Sequence, residues 1–347
     1  MKSERKVENM GIISRDIGVD LGTSYIRIYL KGHGMVLTEP AVVAINKITG
    51  EVLAVGKQAK EMLGRTPDNI VAVRPLKGGV IADFEATKML MSELISRIIP
   101  KSLFSKPRIV VSIPSGITDV EERAVEGVVY GSGAKDVFLM EEVMAAAIGS
   151  KLKVEVAEGT MIVDIGGGTS EMAVLSLGGI VASNSIKIAG DALDNDIVEY
   201  IKKQYNVIIG LGEAEEAKIQ IGAAMASMTD EKMTIKGRHL VTGLPQTITV
   251  TTEDLIAAMS DSIKEIARVL KLTLEQTPPE LAADIMERGI VLCGGGAQLK
   301  NLDRYISEIT GMPVYVAETP TDCVIKGVGS ALENITVLKK ATKTKRK

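Results

Sequence analysis

Two stretches of the 347-residue sequence share one unusual pattern. Residues 161–177, MIVDIGGGTSEMAVLSL, run from an apolar segment through an aspartate, three glycines and a Thr-Ser pair into a second apolar segment. Residues 18–28, GVDLGTSYIRI, repeat the pattern with fewer glycines. Apolar runs on both sides of a glycine tip predict a β-hairpin in each place. Two similar hairpins about half a chain apart predict two similar domains that face each other.

The composition supports a folded α/β protein with about two domains. Hydrophobic residues make up 46% of the chain and charged residues 24%, which is ordinary for a globular protein of this length. Strand-like and helix-like segments alternate through both halves, and this order predicts an α/β fold. Helices are predicted at 57–63, 84–99, 213–227 and 297–309, and a buried strand is predicted at 108–114. Thr118 with Glu121 predicts a capping box at a helix start, and Thr277 is predicted to cap a helix whose first residue is Pro278. The two cysteines, Cys293 and Cys323, lack metal-ligand spacing and are expected to be reduced thiols. With only two histidines in the chain, a zinc site or a Ser-His-Asp triad is not expected.

The sequence predicts a cytoplasmic protein. No apolar run reaches the length of a membrane span, and the N-terminus lacks the apolar core of a signal peptide. The last nine residues, KKATKTKRK, hold six basic side chains, although the formal net charge of the chain is −3. Such a tail is either a solvated terminus or a segment attracted to anionic lipid or to polyanions. Nucleic acid is not expected as a partner.

The two hairpin tips have the chemistry of a phosphate site. Glycines let neighbouring backbone N–H groups point together, and such nests bind anions, most often phosphate. Asp20 and Asp164 would repel phosphate unless a cation lies between, and Mg²⁺ commonly binds carboxylates and phosphates together. The alternative is that the glycines only serve tight turns. The hydroxyl groups that could add donors are those of Thr23, Ser24, Thr169 and Ser170.

Two further segments are candidates for the same site. Residues 293–299, CGGGAQL, run from a strand through three glycines towards a helix, so that adenine could lie against bare backbone; a simple packing turn is the alternative. Residues 138–149, FLMEEVMAAAIG, end a strand with two adjacent glutamates and then enter a helix of small residues. One of these glutamates could orient water for attack on a γ-phosphate. Alternatively, both only favour the start of the helix.

Taken together and in this order, the four segments resemble the ATPase superfamily of actin, heat-shock chaperones and sugar kinases. Within it the chain is similar to the MreB family of bacterial actin homologues over roughly residues 14–340. The resemblance implies an actin-like ATPase fold: two similar α/β domains around a nucleotide cleft, each with a smaller subdomain. The segments that carry it besides the glycine motifs are EPAVVAI, VRPLKGGVIADFEAT, PSGITDVEERA, MEEVMAAAIGS, IAGDALD, VTGLP, TPPELAADIMERGI and GGGAQLKNLD.

The resemblance also implies limits for the domains. The first domain is expected at 14–156, with residues 42–77 as its small subdomain, and the chain returns to it at about 323–340. The second domain is expected at 157–322, with residues 191–256 as its small subdomain. Residues 1–13 and 341–347 are expected to be tails.

By the same resemblance, the cofactors are ATP and Mg²⁺, and several residues match the family's nucleotide site. Asp20 and Asp164 match residues that hold Mg²⁺, mostly through water. Glu142, Asp164 and Thr169 match the catalytic positions, with Glu142 orienting the attacking water. The matching nucleotide-binding positions are Gly22, Thr23, Ser24 and Tyr25 in the first hairpin, Gly166, Gly167, Gly168 and Thr169 in the second, Glu215, Glu216, Ala217 and Lys218 beside the base and ribose, and Gly294, Gly295, Gly296, Ala297 and Gln298 in the adenosine motif.

Two residues depart from the family pattern. Val143 stands where the family usually has proline after the glutamate pair, and this leaves the geometry of Glu142 and the hydrolysis rate open. Tyr25 replaces a small polar residue and could crowd or stack near the nucleotide. Neither change removes a phosphate ligand.

The resemblance implies a slow ATPase that assembles into membrane-associated filaments and helps to determine cell shape by organising cell-wall synthesis. Its partners would be other copies of the chain in antiparallel paired protofilaments, the inner membrane surface, and membrane-bound cell-shape and wall-synthesis proteins. Leu103 and Phe104 correspond to the family's hydrophobic membrane loop, or are partly buried loop residues. The rival functions are a small-molecule kinase, a chaperone-like ATPase, and a filament protein that binds ATP but barely hydrolyses it.

Overall fold

We describe residues 16–99, 106–226 and 230–333 of a computed structural model of the chain. Leu103 and Phe104, predicted to contact membrane, lie outside the described residues, as do the predicted tails. None of the described helices is both long and apolar enough to cross a membrane.

The first half of the described chain alternates strands and helices, as the sequence predicted. The helices at 57–63 and 84–99 and the buried strand at 108–114 are confirmed to within about a residue or two. Its elements are β1 (Ile17–Leu21), β2 (Tyr25–Leu30), β3 (Gly34–Pro40), β4 (Val43–Asn46), β5 (Val52–Val55), α1 (Lys57–Met62), β6 (Ile70–Val73), β7 (Leu76–Lys77), β8 (Val80–Ile81), α2 (Phe84–Ile98), β9 (Arg108–Ile113), α3 (Asp119–Gly131), β10 (Asp136–Glu141) and α4 (Glu142–Gly149).

The second half follows the same alternation. Its elements are β11 (Thr160–Ile165), β12 (Ser170–Ser176), β13 (Gly179–Ile186), α5 (Gly190–Tyr205), β14 (Val207–Ile208), α6 (Leu211–Ile221), β15 (Lys232–His239), β16 (Pro245–Thr251), α7 (Thr252–Glu275), α8 (Pro279–Arg288), β17 (Ile290–Cys293), α9 (Leu302–Thr310), β18 (Val314–Val316) and α10 (Cys323–Glu333), with short 3₁₀ turns at Gly296–Gln298 and Pro320–Asp322.

The repeat in the sequence extends to two whole sheets of the same topology. One five-stranded sheet has the order β10-β9-β1-β2-β3, and the other has β18-β17-β11-β12-β13. In each, an antiparallel meander follows the first strand, and two parallel strands continue on its other side. Both glycine segments form the predicted hairpins, β1–β2 and β11–β12.

The two sheets are joined by a core of small residues on α4 and α10. This core contains residues of both sheets, such as Val110 and Ile162, as well as alanines of α4. α10 and α4 approach so closely that a Cβ on Gly327 would lie 1.8 Å from the Ala145 carbonyl oxygen. Close backbone approach therefore explains the alanines and glycines here, and α10 packs beside β1 although it follows the second sheet in sequence.

Smaller sheets lie beside each large one. β5-β4-β6 packs with α1, and β14-β15-β16 packs with α6. α3 begins at the predicted capping box, in which Thr118 accepts from the Glu121 amide and Glu121 accepts from the Thr118 amide. The first amides of a helix have no partner within the helix. The capping box provides acceptors for two of them, and this fixes the residue at which α3 starts.

α6 is shorter than predicted. The sequence indicated a helix at 213–227, but α6 ends at Ile221 because Gly222 adopts an extended conformation (φ −68°, ψ 140°). The Lys218 carbonyl then occupies the space in which a Cβ of residue 222 would lie, at 2.3 Å. Only glycine fits there, so Gly222 ends the helix. The alanines that follow it favour a helix, and the predicted helix was therefore too long.

Two other helix starts also differ. Thr277 was predicted to cap α8, with Pro278 as the first helical residue, but Pro278 is the N-cap and Pro279 the first residue. The Thr277 hydroxyl donates instead to the Thr273 carbonyl at the end of α7. The predicted helix 297–309 is a 3₁₀ turn followed by α9, because Asn301 lies in the left-handed region (φ 60°) and separates them.

Candidate functional site

The two glycine hairpins meet tip to tip between the large sheets. A Cβ on Gly167 would lie 2.0 Å from Ser24 Oγ, and one on Gly168 would lie 2.5 Å from Thr23 Oγ1. Only residues without a side chain allow this approach. The glycines therefore do more than close a turn, because they let the hairpin of one sheet contact the hairpin of the other.

A cavity of about 610 Å³ opens at this meeting point. Its size is that of a small-molecule site. It brings together the predicted residues Asp20, Gly22, Thr23, Ser24, Tyr25, Glu142, Asp164, Gly166, Gly167, Gly168, Thr169, Glu215, Lys218, Gly294, Gly295, Gly296 and Gln298.

Three of the residues predicted to bind nucleotide do not line the cavity. Ala217 and Ala297 point into the core of the second half, where they are 0% and 2% exposed. Glu216 is exposed and accepts a hydrogen bond from Gln220 on the outer face of α6. Consecutive side chains of a helix point about 100° apart, so the side chains of four consecutive residues cannot all face one cavity.

The two aspartates end the central strands of the two sheets. Asp20 and Asp164 are only 5% and 7% exposed. Burial, and then the charge of Asp20, raises the pKa of Asp164 to about 7. Burial also raises the pKa of Asp20, although Arg27 opposes this by donating to its carboxylate at 3.1 Å. Because two buried carboxylates close together are costly to ionise, a cation between them would stabilise their charged forms.

These side chains suit Mg²⁺ better than a more demanding metal. Among the described residues, no group of three or more His, Cys, Asp and Glu side chains is arranged to hold a metal ion. Two carboxylates are too few for a structural zinc site, but Mg²⁺ usually binds one or two carboxylates and takes its other ligands from water and phosphate. The donor set at this edge of the sheets therefore fits Mg²⁺ accompanied by a phosphate ligand.

The hydroxyl groups of the hairpins have different roles. Thr23 Oγ1 accepts from the Gly79 amide at 3.0 Å, which ties the β7–β8 turn to the first hairpin. Thr169, 9% exposed, lines the cavity near the same turn. Ser170 Oγ donates to the Ile188 carbonyl and is fully buried, so the expectation that it faces a ligand is wrong.

The two adjacent glutamates lie in different surroundings. Glu141 is the exposed N-cap of α4, whereas Glu142 is its first residue and lines the cavity. Burial, followed by the charges of Glu171, Asp20 and Asp164, raises the pKa of Glu142 well above its usual value. A carboxylate whose pKa is perturbed within a cavity is a candidate for a functional group. Val143 is buried in the core between the sheets, and its side chain does not line the cavity.

Glu171 is a buried titratable residue beside the cavity residue Asp164 that the sequence prediction did not single out. It pairs with Asp164 across the second hairpin and is 1% exposed. One carboxylate oxygen accepts from the Ser115 amide at 3.1 Å, while the other is buried without a partner. Burial raises its pKa to about 8. The signal in the sequence was a glutamate inside a fully apolar strand run.

The glycines after β17 pack against the second hairpin. Gly294 has φ 81°, and a Cβ there would lie 2.3 Å from both Asp164 Oδ1 and the Ile165 carbonyl oxygen. A Cβ on Gly296 would lie 2.3 Å from Ile165 Cγ2. The turn in CGGGAQL therefore packs closely against the second hairpin, and its backbone also lines the cavity. Its contact with adenine stays a prediction.

α6 contributes an ion pair that the sequence did not indicate. Lys218 Nζ contacts Asp194 Oδ1 at 2.7 Å and donates to the Gly190 carbonyl at 2.8 Å. Burial raises the pKa of Asp194 to about 6, against the effect of Lys218. Glu215, one turn before, faces the mouth of the cavity. Helix α6 thus presents one fixed cation and one carboxylate to the cavity.

The architecture is that of the actin-like fold, and solved structures of this class superpose on more than nine tenths of the chain. MreB5 of Spiroplasma citri bound to AMPPNP matches with a TM-score of 0.89 and 38% sequence identity, over 96% of this chain and 99% of that one. The MamK double helical filament matches with a TM-score of 0.78 over 91% of this chain and 98% of that one, but at 21% identity it supports the fold alone.

The sequence comparisons narrow the class to one family. The family described as MreB/Mbl protein matches residues 14–340. The cell shape-determining protein Mbl of Bacillus subtilis is 48% identical over 329 residues, 95% of this chain and 99% of its own length. Cell shape-determining protein MreB of Escherichia coli K12 is 47% identical over 330 residues, 94% of this chain and 95% of its own length. The chain belongs to the MreB/Mbl family, as its motifs predicted.

Proposed function

We propose that this protein is an ATP-binding, slowly ATP-hydrolysing subunit of membrane-associated filaments that help to determine cell shape. The observation that carries the proposal is the meeting of two glycine hairpins and two buried carboxylates at one cavity. The MreB5 structure was solved with AMPPNP and, in a second form, with ADP, and it shares the fold at 38% identity. ATP and ADP are therefore the expected ligands.

In the proposed complex the hairpins bind the phosphates. Backbone amides at Gly22 and Thr23, and at Gly167 and Gly168, would donate to phosphate oxygens, because no side chain blocks them. Asp20 and Asp164 would hold Mg²⁺, which supplies charge compensation between the carboxylates and the phosphates. The ribose and base would lie towards α6 and the glycines after β17, where Glu215, Lys218 and Gln298 line the cavity.

For hydrolysis we assign Glu142 the role of orienting the attacking water. It comes from the first sheet's side of the cavity, and its carboxylate lies within the electrostatic influence of Asp20, Asp164 and Glu171. Phosphoryl transfer depends mainly on positioning and charge stabilisation. The Thr169 hydroxyl, on the other hairpin, is the second group proposed to face the γ-phosphate. Because one group comes from each half, hydrolysis would depend on closure of the cleft.

Assembly is proposed from the family and from the fold. MamK, which shares the fold, forms a double helical filament. Repeated head-to-tail contacts between identical subunits generate filaments when the rotation between subunits does not close a ring. For this chain we propose protofilaments paired antiparallel, with α3 as the lateral contact. Its exposed Val120 and Tyr130 offer apolar area on that helix.

Membrane attachment and cell-wall partners remain part of the proposal. Leu103 and Phe104 are proposed as a short apolar loop that inserts into the inner face of the membrane, with the basic C-terminal tail adding attraction to anionic lipid. One such loop binds weakly, so attachment would rely on the many copies in a filament. Membrane-bound cell-shape and wall-synthesis proteins are the proposed partners of the assembled filament.

We also propose the domain limits of 14–156 and 157–322, with small subdomains at 42–77 and 191–256. Each large sheet falls within one of these ranges, and each three-stranded sheet falls within a proposed subdomain. The packing of α10 against β1 and α4 supports a return of the chain to the first domain after residue 322.

Sedimentation with Mg²⁺-ATP, followed by negative-stain microscopy, tests the proposal. Paired filaments are expected with nucleotide, and anionic liposomes are expected to increase the pelleted fraction. A monomer that binds ATP but never assembles would contradict the filament function. Phosphorylation of a small-molecule substrate by such a monomer would indicate the kinase alternative.

A further inference from the structure

Two ion pairs cross the cleft from the small β5-β4-β6 region to the second half of the chain. Lys60 Nζ on α1 contacts Glu215 Oε2 on α6 at 2.8 Å. Arg74 Nη1, just after β6, contacts Asp191 Oδ1 on α5 at 3.1 Å. Both distances are those of charge-assisted hydrogen bonds. Both basic residues come from one side of the cleft and both acidic residues from the other.

The acidic members of these pairs belong to the nucleotide cavity. Glu215 and Asp191 both line it. The contact with Lys60 uses Oε2 of Glu215, which leaves Oε1 to accept from a ribose hydroxyl. The pairing is therefore compatible with a bound nucleotide, and it holds the carboxylate at the mouth of the cavity.

Tyr25 also helps to keep Lys60 beside Glu215. Its ring lines the cavity, and Lys60 Nζ lies 5.7 Å from the ring centroid. Arg27 lies at the same distance from this ring. A cation this close to an aromatic face is attracted to it. The tyrosine that departs from the family pattern thus helps to hold Lys60 where it meets Glu215.

The two ion pairs are better placed to affect nucleotide exchange than to stabilise the fold. The Lys60 and Glu215 side chains are 33% and 21% exposed, and Arg74 and Asp191 are 23% and 33% exposed. Half-exposed ion pairs stabilise weakly and break readily in water. They join parts of the chain that are 155 and 117 residues apart and lie on opposite sides of the cavity.

We propose that Lys60 and Glu215, backed by Tyr25 and by the Arg74–Asp191 pair, form a clasp that must open before nucleotide leaves the cavity. Lys60 is thus a positioning residue that sets how long nucleotide stays bound. The inference rests on the proposed binding of ATP. It adds a release-controlling contact between the two small subdomains, and it makes nucleotide exchange sensitive to salt.

The test is a charge series at position 60, read by the dissociation rate of a fluorescent ATP analogue chased with excess Mg²⁺-ATP. Lys60→Met removes the charge, and the rate is expected to rise about 3- to 10-fold, the effect of one partly exposed charged contact. Lys60→Glu faces Glu215 with a like charge and is expected to release faster than Lys60→Met. Lys60→Arg keeps the charge and is expected to stay within about 2-fold of the unchanged protein.

Lys57→Met is the matched control. Lys57 lies on the same helix with an exposed side chain, and its described contact to Glu39 uses the backbone amide, which the substitution keeps. Its dissociation rate is expected to equal that of the unchanged protein. The salt dependence of release should be steeper in the unchanged protein than in Lys60→Met, since salt screens the pair.

The outcomes separate this inference from the proposed function. Equal rates for Lys60→Met and the unchanged protein, or Lys60→Glu no faster than Lys60→Met, would overturn the clasp while leaving ATP binding intact. If Lys60→Met does not fold, the unchanged protein alone tests the clasp. A rate of nucleotide release that does not depend on salt concentration would then overturn it. Failure of the unchanged protein to bind the analogue would overturn the proposed function itself, and the clasp with it.

Discussion

Gly167 and Ser24 touch across the cleft so closely that a Cβ on Gly167 would lie 2.0 Å from Ser24 Oγ and 2.9 Å from Ser24 Cβ. One residue is at the tip of the second hairpin and the other follows the tip of the first. The contact shows that the two sheets are brought together at their glycine tips, and that the distance between them depends on the absence of one side chain.

Gly167→Ala is expected to lower ATP affinity by about 10-fold or more while leaving the fold intact, because the hairpins must separate to make room for the methyl group. Isothermal titration with Mg²⁺-ATP measures the affinity, and circular dichroism checks the fold. Gly212→Ala is the control, since a Cβ at Gly212 meets nothing within 4 Å. An affinity unchanged in Gly167→Ala would show that the contact does not shape the site.

Glu142→Gln is expected to slow phosphate release by about 10- to 100-fold with little change in ATP affinity, because the amide keeps the shape but orients water less well. A coupled phosphate assay under single-turnover conditions gives the rate. Glu141→Gln, the same change at the exposed neighbouring position, is expected to have no effect. Equal rates in Glu142→Gln and the unchanged protein would remove Glu142 from the proposed mechanism.

The pKa of Glu171 predicts how stability depends on pH in protein without nucleotide or Mg²⁺. Burial raises this pKa from 4.5 to about 8, so the folded state binds a proton that the unfolded state releases between these values. The contribution of this group is therefore full below about pH 4.5 and is lost as the pH rises towards 8.

Glu171→Gln removes this titration and keeps an acceptor for the Ser115 amide. Its free energy of unfolding is expected to exceed that of the unchanged protein by roughly 1–3 kcal/mol at pH 9, and to approach it at pH 5. Urea unfolding at the two pH values measures the difference. A variant that is no more stable than the unchanged protein at pH 9 would show that burial does not raise the pKa of Glu171 in the folded state.

Asp254 is expected to matter more to stability than the other helix caps. It completes the capping box at the start of α7 and also accepts from the hydroxyls of Tyr200 and Tyr205 at 3.1 and 2.8 Å. Burial acts against its charge, but these hydrogen bonds lower its pKa, while burial and Asp254 raise the pKa of Tyr205 to about 12.

Asp254→Ala is expected to lower the free energy of unfolding by about 2–3 kcal/mol, since hydrogen bonds from three residues, Thr251, Tyr200 and Tyr205, are lost together. Thr118→Ala, which removes only a cap at the start of α3, is expected to cost about 1 kcal/mol. Thermal or urea unfolding compares the two. Equal losses would mean that the tyrosine contacts contribute nothing beyond the cap.

The features that the sequence predicted well are those with a local physical signal. The two hairpins follow from apolar runs around glycine, and the start of α3 follows from the Thr118–Glu121 capping box. The meeting of the hairpins agrees with the prediction that two similar domains face each other, which rested on the repeat of the hairpin pattern. Family resemblance supplied the positions of Glu142, Glu215 and Lys218, all of which line the cavity.

What the sequence did not indicate depends on contacts between distant segments. Ala217 and Ala297 belong to contiguous motifs, yet they face the core because of the helical turn and the packing on β11. Ser170 donates to a carbonyl 18 residues away, and Lys60 meets a carboxylate 155 residues away. No local pattern encodes such partners, because folding alone brings them together.

The Mg²⁺ dependence of ATP binding tests the proposed nucleotide site most directly. Titration calorimetry should show tight binding to the unchanged protein with Mg²⁺ and markedly weaker binding in EDTA. In the double variant Asp20→Asn and Asp164→Asn, the affinity should no longer depend on Mg²⁺, because the carboxylates that hold the ion are gone. An ATP affinity that is the same with and without Mg²⁺, or a Mg²⁺ effect that survives in the double variant, would contradict the proposed site.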